Sequence, residues 1–154
     1  MNAWLCVAAV LAVQASAAPK PIETKHLTIA VSAGSIAAGK LPLYVDVTPR
    51  EQMHVYAPGQ PGYIAIELKL DAAAPVTAAG KAKYPAAEKI FMPALKETQL
   101  VYGKPFRITQ DVTVRRGAPG PLTVTGTVRY QACDDTICYK PVTIPVTWTL
   151  SSNP

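Results

Sequence analysis

Apolar and polar residues alternate with a period of two through most of this chain. Leu27, Ile29 and Val31 face Thr28, Ala30 and Ser32 across one run, and Leu43, Val45 and Val47 share a side over residues 41–48. Residues 63–70 put Ile64, Ile66, Leu68 and Leu70 inward and Ala65, Glu67 and Lys69 outward. Further runs cover residues 98–102 and 105–114, the short Met53-His54-Val55-Tyr56, and 122–129, where Leu122, Val124 and Val128 oppose three threonines. The last, at 142–150, carries Val142, Ile144, Val146, Trp148 and Leu150 on one side. Each predicts a strand with one buried face.

Turn chemistry separates these runs at Pro49-Arg50-Glu51, at Pro58-Gly59-Gln60-Pro61-Gly62 and at residues 115–120. Residues 71–98 follow neither the strand nor the helix period. Alanine and lysine there favour helix, but Pro75, Pro85 and Pro93 interrupt it. The expectation is a long, partly ordered connection with one short strand near 76–82. About eight strand-like runs, with 15 prolines and 9 glycines punctuating them, predict an all-β fold: a single-domain, immunoglobulin-like antiparallel β-sandwich over residues 25–150.

Length agrees, since 154 residues suffice for one domain with a real core. Residues 3–13 are uncharged and apolar and lead into Ala15-Ser16-Ala17. That pattern predicts a secretory signal peptide at 1–17, too short to span a bilayer, followed by an extended leader at 18–24; residues 151–154 form a C-terminal tail. Cys6 leaves with the signal, so the exported chain keeps two cysteines in an oxidising compartment.

The net charge of +5 is scattered rather than clustered, which argues against a nucleic-acid site. No second apolar run is long enough for a membrane helix, so no direct membrane insertion is expected after cleavage. His26 and His54 stand alone, and Met53 and Met92 do not complete a copper site. Phosphate-loop, dinucleotide and Gly-x-Ser-x-Gly motifs are missing, so no cofactor or metal is expected.

The remaining chemistry lies in Tyr130-Gln-Ala-Cys133-Asp-Asp-Thr-Ile-Cys138-Tyr-Lys-Pro141, between the last two strand runs. Asp134, Asp135 and Thr136 are turn formers, so the cysteines are expected to face each other at a hairpin tip. Two roles fit the spacing. One is a structural staple in a non-catalytic secreted binding or accessory module, contributing only about 2 kcal/mol for so short a loop. The other is an exchanging pair within a partner's reach. Charge separates the sulfurs: Asp134 and Asp135 disfavour a Cys133 thiolate, whereas Cys138 has Lys140 nearby.

This stretch resembles the Tyr-Gln-x-Cys…Cys-Tyr-x-Pro signature in the N-terminal periplasmic domain of the disulfide interchange protein DsbD. Met53-His54-Val55-Tyr56, Tyr84-Pro85 and Leu100-Val101-Tyr102-Gly103 follow the family's order less tightly. The resemblance implies a periplasmic immunoglobulin-like domain that relays electron pairs by thiol–disulfide exchange. Its implied partners are a membrane-embedded reductant module and thioredoxin-fold proteins of disulfide isomerisation and cytochrome c maturation. With neither a transmembrane module nor a thioredoxin domain in these 154 residues, the relay is expected to work in trans. The resemblance makes Cys138 the partner-engaging sulfur and Cys133 its resolving mate. It also makes Phe91, Tyr130 and Tyr139 candidates for a cap over the disulfide or for partner contact, with Glu88-Lys89-Ile90-Phe91-Met92-Pro93 in the cap position.

Overall fold

A computed structural model describes residues 19–71, 76–78, 80–93, 95–114 and 121–150. The expected signal peptide, the turn at 115–120 and the tail at 151–154 lie outside the described residues.

Twelve strands are described: β1 Ile22–Glu23, β2 Leu27–Ala33, β3 Lys40–Pro49, β4 His54–Tyr56, β5 Glu67–Leu70, β6 Val76–Ala78, β7 Glu88–Met92, β8 Glu97–Tyr102, β9 Phe106–Val114, β10 Leu122–Tyr130, β11 Ala132–Cys133 and β12 Val142–Leu150. Their ladders are antiparallel and build three sheets, in the orders β1-β2-β3-β9-β6, β12-β10-β5 and β11-β4-β8-β7. The five-stranded sheet forms one layer and the two smaller sheets the other, an immunoglobulin-like antiparallel β-sandwich.

The alternation explains the core. Leu27, Ile29, Leu43, Val45, Val47, Ile108 and Val112 from the first layer pack with Leu68, Val124, Val128, Tyr130, Val146 and Trp148 from the second. The Trp148 indole N–H donates to the Tyr44 carbonyl at 3.1 Å, so the largest core ring also ties β12 to β3. Pro145 is tolerated because β12 is an edge strand and the residue faces outward. At the inward position between Val124 and Val128 stands Gly126. A Cβ there would lie 2.6 Å from the Lys69 carbonyl oxygen and 3.2 Å from the Leu70 Cα, so glycine lets β5 close onto β10.

Two expectations need correction. The connection at 71–98 is not wholly irregular: besides β6, it contains β7, which pairs with β8 from Glu88↔Val101 to Met92↔Glu97. Sheet pairing overrides the helix preference of alanine and lysine there, and Pro85 and Pro93 flank the strand rather than break it. The run at 63–70 also divides. Its regular ladder starts at Glu67, while Ala65 makes a parallel bridge to Tyr56 and the Ile66 N–H donates to the Tyr56 carbonyl at 2.8 Å. The chain passes there from one small sheet to the other.

Candidate functional site

The hairpin of β10 and β12 stays in register from Leu122↔Leu150 to Tyr130↔Val142. Its tip then leaves that sheet. Ala132 pairs with Val55 and Cys133 with His54, so β11 becomes an edge of the four-stranded sheet. The return leg brings Cys138 opposite Cys133 with Cα atoms 4.0 Å apart, and the two are joined by a disulfide. The expected hairpin placement of the pair is thus seen, with the tip sewn onto a second sheet.

The tip is held by its own side chains. Asp134 Oδ1 accepts from the Thr136 and Ile137 N–H groups at 2.7 and 2.8 Å, and Oδ2 accepts from the Tyr139 hydroxyl at 2.9 Å. These bonds, the Ile137 and Thr136 amides first, hold the Asp134 carboxyl below its usual range. Gln131 binds in both directions: its Oε1 accepts from the Ile64 N–H at 3.3 Å and its Nε2 donates to the Tyr139 carbonyl at 3.2 Å. Tyr139 lies against the His26 ring at a centroid distance of 4.5 Å, with the Lys25 ammonium 5.0 Å from its own ring centre.

The two sulfurs occupy different surroundings. Cys133 is 1% exposed and packs in a small cluster with Tyr56, Val101 and Tyr63, apart from the main core. Cys138 is exposed, beside Ile137, whose side chain is 51% exposed. The Tyr56 hydroxyl stands 3.3 Å from each sulfur. Disulfide sulfurs carry no proton, so the phenol is the donor. Burial, followed by the nearby Tyr63 and Glu97, pushes the Tyr56 phenol up to about 12, so it remains protonated. Tyr63 stacks on Tyr56 at 4.2 Å and donates to Glu97 Oε1 at 2.6 Å; Gln99 Nε2 donates to the same oxygen at 2.7 Å. Those two bonds hold the Glu97 carboxyl below its ordinary range.

Strand register decides which residues share the disulfide's side of this sheet. Through Cys133↔His54, Tyr56↔Val101 and Val101↔Glu88, one face carries Cys133, His54, Tyr56, Val101, Gln99, Glu88 and Ile90. Phe91 pairs with Thr98 and belongs to the opposite face, where it is 61% exposed. Tyr130 is fully buried, its hydroxyl donating to Thr24 Oγ1 at 3.1 Å. Of the three aromatic candidates, Tyr139 alone lies in the tip, half-buried. The rings the structure brings to the sulfurs are those of Tyr56 and, behind it, Tyr63. Spacing could not reveal this, because Tyr56 is 82 residues from Cys138 and 77 from Cys133. Among the described residues, no three His, Cys, Asp or Glu side chains converge as a metal site.

Residues 18–148 match the family described as Thiol:disulfide interchange protein DsbD, N-terminal. Among solved structures, the N-terminal periplasmic domain of ScsB from Proteus mirabilis is similar, with a TM-score of 0.58 and 11% identity. The match covers 83% of this chain and 47% of that one, so the chain spans about half the length of the ScsB domain. The reduced DsbD N-terminal domain of Neisseria meningitidis gives a TM-score of 0.48 at 15% identity, covering 82% of this chain and 92% of that one. The yeast GGA1 GAE domain also gives 0.48, at 11% identity and 82% and 95% coverage. At such identities the ScsB likeness speaks for the fold alone. No curated protein matches the chain at a significant level.

Proposed function

Since this chain belongs to the family of N-terminal domains of the thiol:disulfide interchange protein DsbD, we propose that it is an exported, periplasmic exchange domain relaying reducing equivalents through Cys133 and Cys138. Its reductant is a membrane-embedded module. Its acceptors are thioredoxin-fold proteins, including those of disulfide isomerisation and cytochrome c maturation. Residues 1–17 are the signal that delivers it.

The observation that carries this reading is the inequality of the two cysteines: one residue exposed at a tip, the other 1% exposed, with one phenol on both sulfurs. A partner thiolate attacks Cys138 Sγ, the S–S bond breaks, and Cys133 leaves as a thiolate that receives the Tyr56 hydrogen bond. A buried thiolate without a donor would carry a large desolvation cost. The partner's second thiolate then attacks its own sulfur in the mixed disulfide, and Cys138 leaves. Two electrons pass to the pair, and two protons complete the thiols. The same path run backwards reduces an acceptor.

Trapping tests it. Cys133→Ser should accumulate a mixed disulfide with a thioredoxin-fold partner, and Cys138→Ser should not. The opposite pattern, or a pair whose reduction potential lies below about −300 mV and resists glutathione, would sink the proposal.

A further inference from the structure

His54 is buried at 6% exposure, and its Nε2 has no hydrogen-bond partner. Buried polar nitrogens are usually bonded, so an orphan beside a reactive group calls for an explanation. His54 is the direct cross-strand neighbour of Cys133. Side chains in that relationship start from Cβ atoms about 4.5–5.5 Å apart, within reach of one another once the disulfide opens and Cys133 can turn about its side-chain bond. From this juxtaposition, and resting on the exchange reading above, we propose that His54 is the general base that takes the proton of Cys133 when this buried thiol resolves a mixed disulfide at Cys138.

The groups around His54 favour this assignment over other bases. Tyr56, at a ring-centre distance of 6.0 Å, stays protonated. Asp134 is engaged by two amides and Tyr139. Asp134 and Asp135 both act on His54 electrostatically, drawing its pKa upward, but burial outweighs them and leaves the imidazole below 6.5, neutral and able to accept a proton at pH 7. On the β8 side, the Gly103 Cβ position lies 4.0 Å from both the His54 Cβ and Glu88 Oε1, and Glu88 is paired with Lys104 at 2.9 Å. Glu97 stands beyond Tyr63. A lone buried thiol followed directly by Asp134 and Asp135 ionises poorly, and a neutral imidazole across the strand from it supplies the missing base.

With glutathione disulfide as oxidant, the steps balance. The Cys138 thiolate attacks one glutathione sulfur, forming an adduct and releasing the first glutathione. Cys133 passes its proton to His54 and its thiolate attacks Cys138 Sγ. The second glutathione then leaves as a thiolate and takes up a proton. Two protein thiols are oxidised and one glutathione disulfide becomes two glutathiones.

The test follows the adduct by mass spectrometry after reduced protein is mixed with glutathione disulfide. His54→Gln should lengthen the adduct's lifetime by at least about tenfold without slowing its formation. In the unsubstituted protein, the resolution rate should rise through a midpoint below 6.5 and then level off; in His54→Gln it should keep rising with pH. An unchanged lifetime and pH profile overturn the role of His54. A reduced protein that never forms an adduct overturns the exchange reading instead. A measurement without loss of the imidazole guards against misfolding. In reduced Cys138→Ser protein, the His54 ring resonances should show an alkaline inflection from Cys133 that disappears in the Cys133→Ser, Cys138→Ser double variant; its absence in the former also overturns the proposal.

Discussion

The buried phenol of Tyr56 reaches the sulfur of the exposed residue Cys138 at 3.3 Å, from a position 82 residues earlier in the chain. The same oxygen is equally close to Cys133, so a single donor serves whichever sulfur becomes anionic. Tyr56→Phe keeps the ring stacked on Tyr63 and removes only that donor. A hydrogen bond to a charged group contributes roughly 1.5–3 kcal/mol, so reduction of the disulfide by dithiothreitol should slow by about one to two orders of magnitude, with the fold intact. An unchanged rate would mean that solvent, not the phenol, holds the leaving thiolate.

Asp134 closes the loop between the cysteines on itself. Asp134→Ala removes the acceptor for the Thr136 and Ile137 amides and frees the Tyr139 hydroxyl. Amide hydrogen exchange at residues 136 and 137 should accelerate, and reduction should become faster as Cys138 loses its fixed position. Exchange rates matching those of the unsubstituted protein would show that the β11–β4 pairing alone orders the tip.

Gly126 tests the sandwich rather than the site. In Gly126→Ala the added carbon meets β5 backbone, which cannot rotate away as a flexible side chain could. Overpacking of this kind costs about 1–3 kcal/mol, to be read from the denaturant midpoint. The strands it separates are β5 and β10, so the loss should appear in both redox states.

Acid should weaken the fold in two stages. Burial lowers the pKa of both His26 and His54, with Lys25 adding to the effect at His26. Between 6.5 and each folded value, the unfolded chain binds more protons than the folded one, so stability is full above about 6.5 and declines as pH falls through that window. The carboxyls of Asp134, Glu88 and Glu97 are likewise lowered, from ordinary values of 3.8, 4.5 and 4.5. Their contribution is present above those values and is lost further down, as pH falls through each folded pKa. The melting temperature measured from pH 7 downward should therefore start to drop before any carboxylate titrates. His26→Gln should reduce the first stage to the share of His54 and leave the second.

The long strands were legible because each buries one face of a period-two pattern: Leu27, Ile29 and Val31 in β2, or Val146 and Trp148 in β12, give both element and orientation. β7 was not, since Glu88, Lys89 and Ile90 become a strand only through their hydrogen bonds to β8. The cysteine pair could be read from its turn residues, and the structure leaves Cys138 exposed and Cys133 buried. Its surroundings could not be read. Strand pairing across most of the chain brings Tyr56 to the sulfurs and sets His54 opposite Cys133, and no local spacing encodes which strands become neighbours. Phe91 and Ile90 show the limit most sharply, since one step of register decides which of them shares the disulfide's face.

The tip's attachment to a sheet other than the one that supplies its arms has a consequence for exchange. Opening the S–S bond leaves β11 fastened to β4 and Gln131 fastened to residues 64 and 139, so none of these anchors depends on the bond being exchanged. The tip therefore keeps the same anchors whether the pair is oxidised or reduced. For the exchange proposed above, the scaffold around the pair is in place before and after the bond opens.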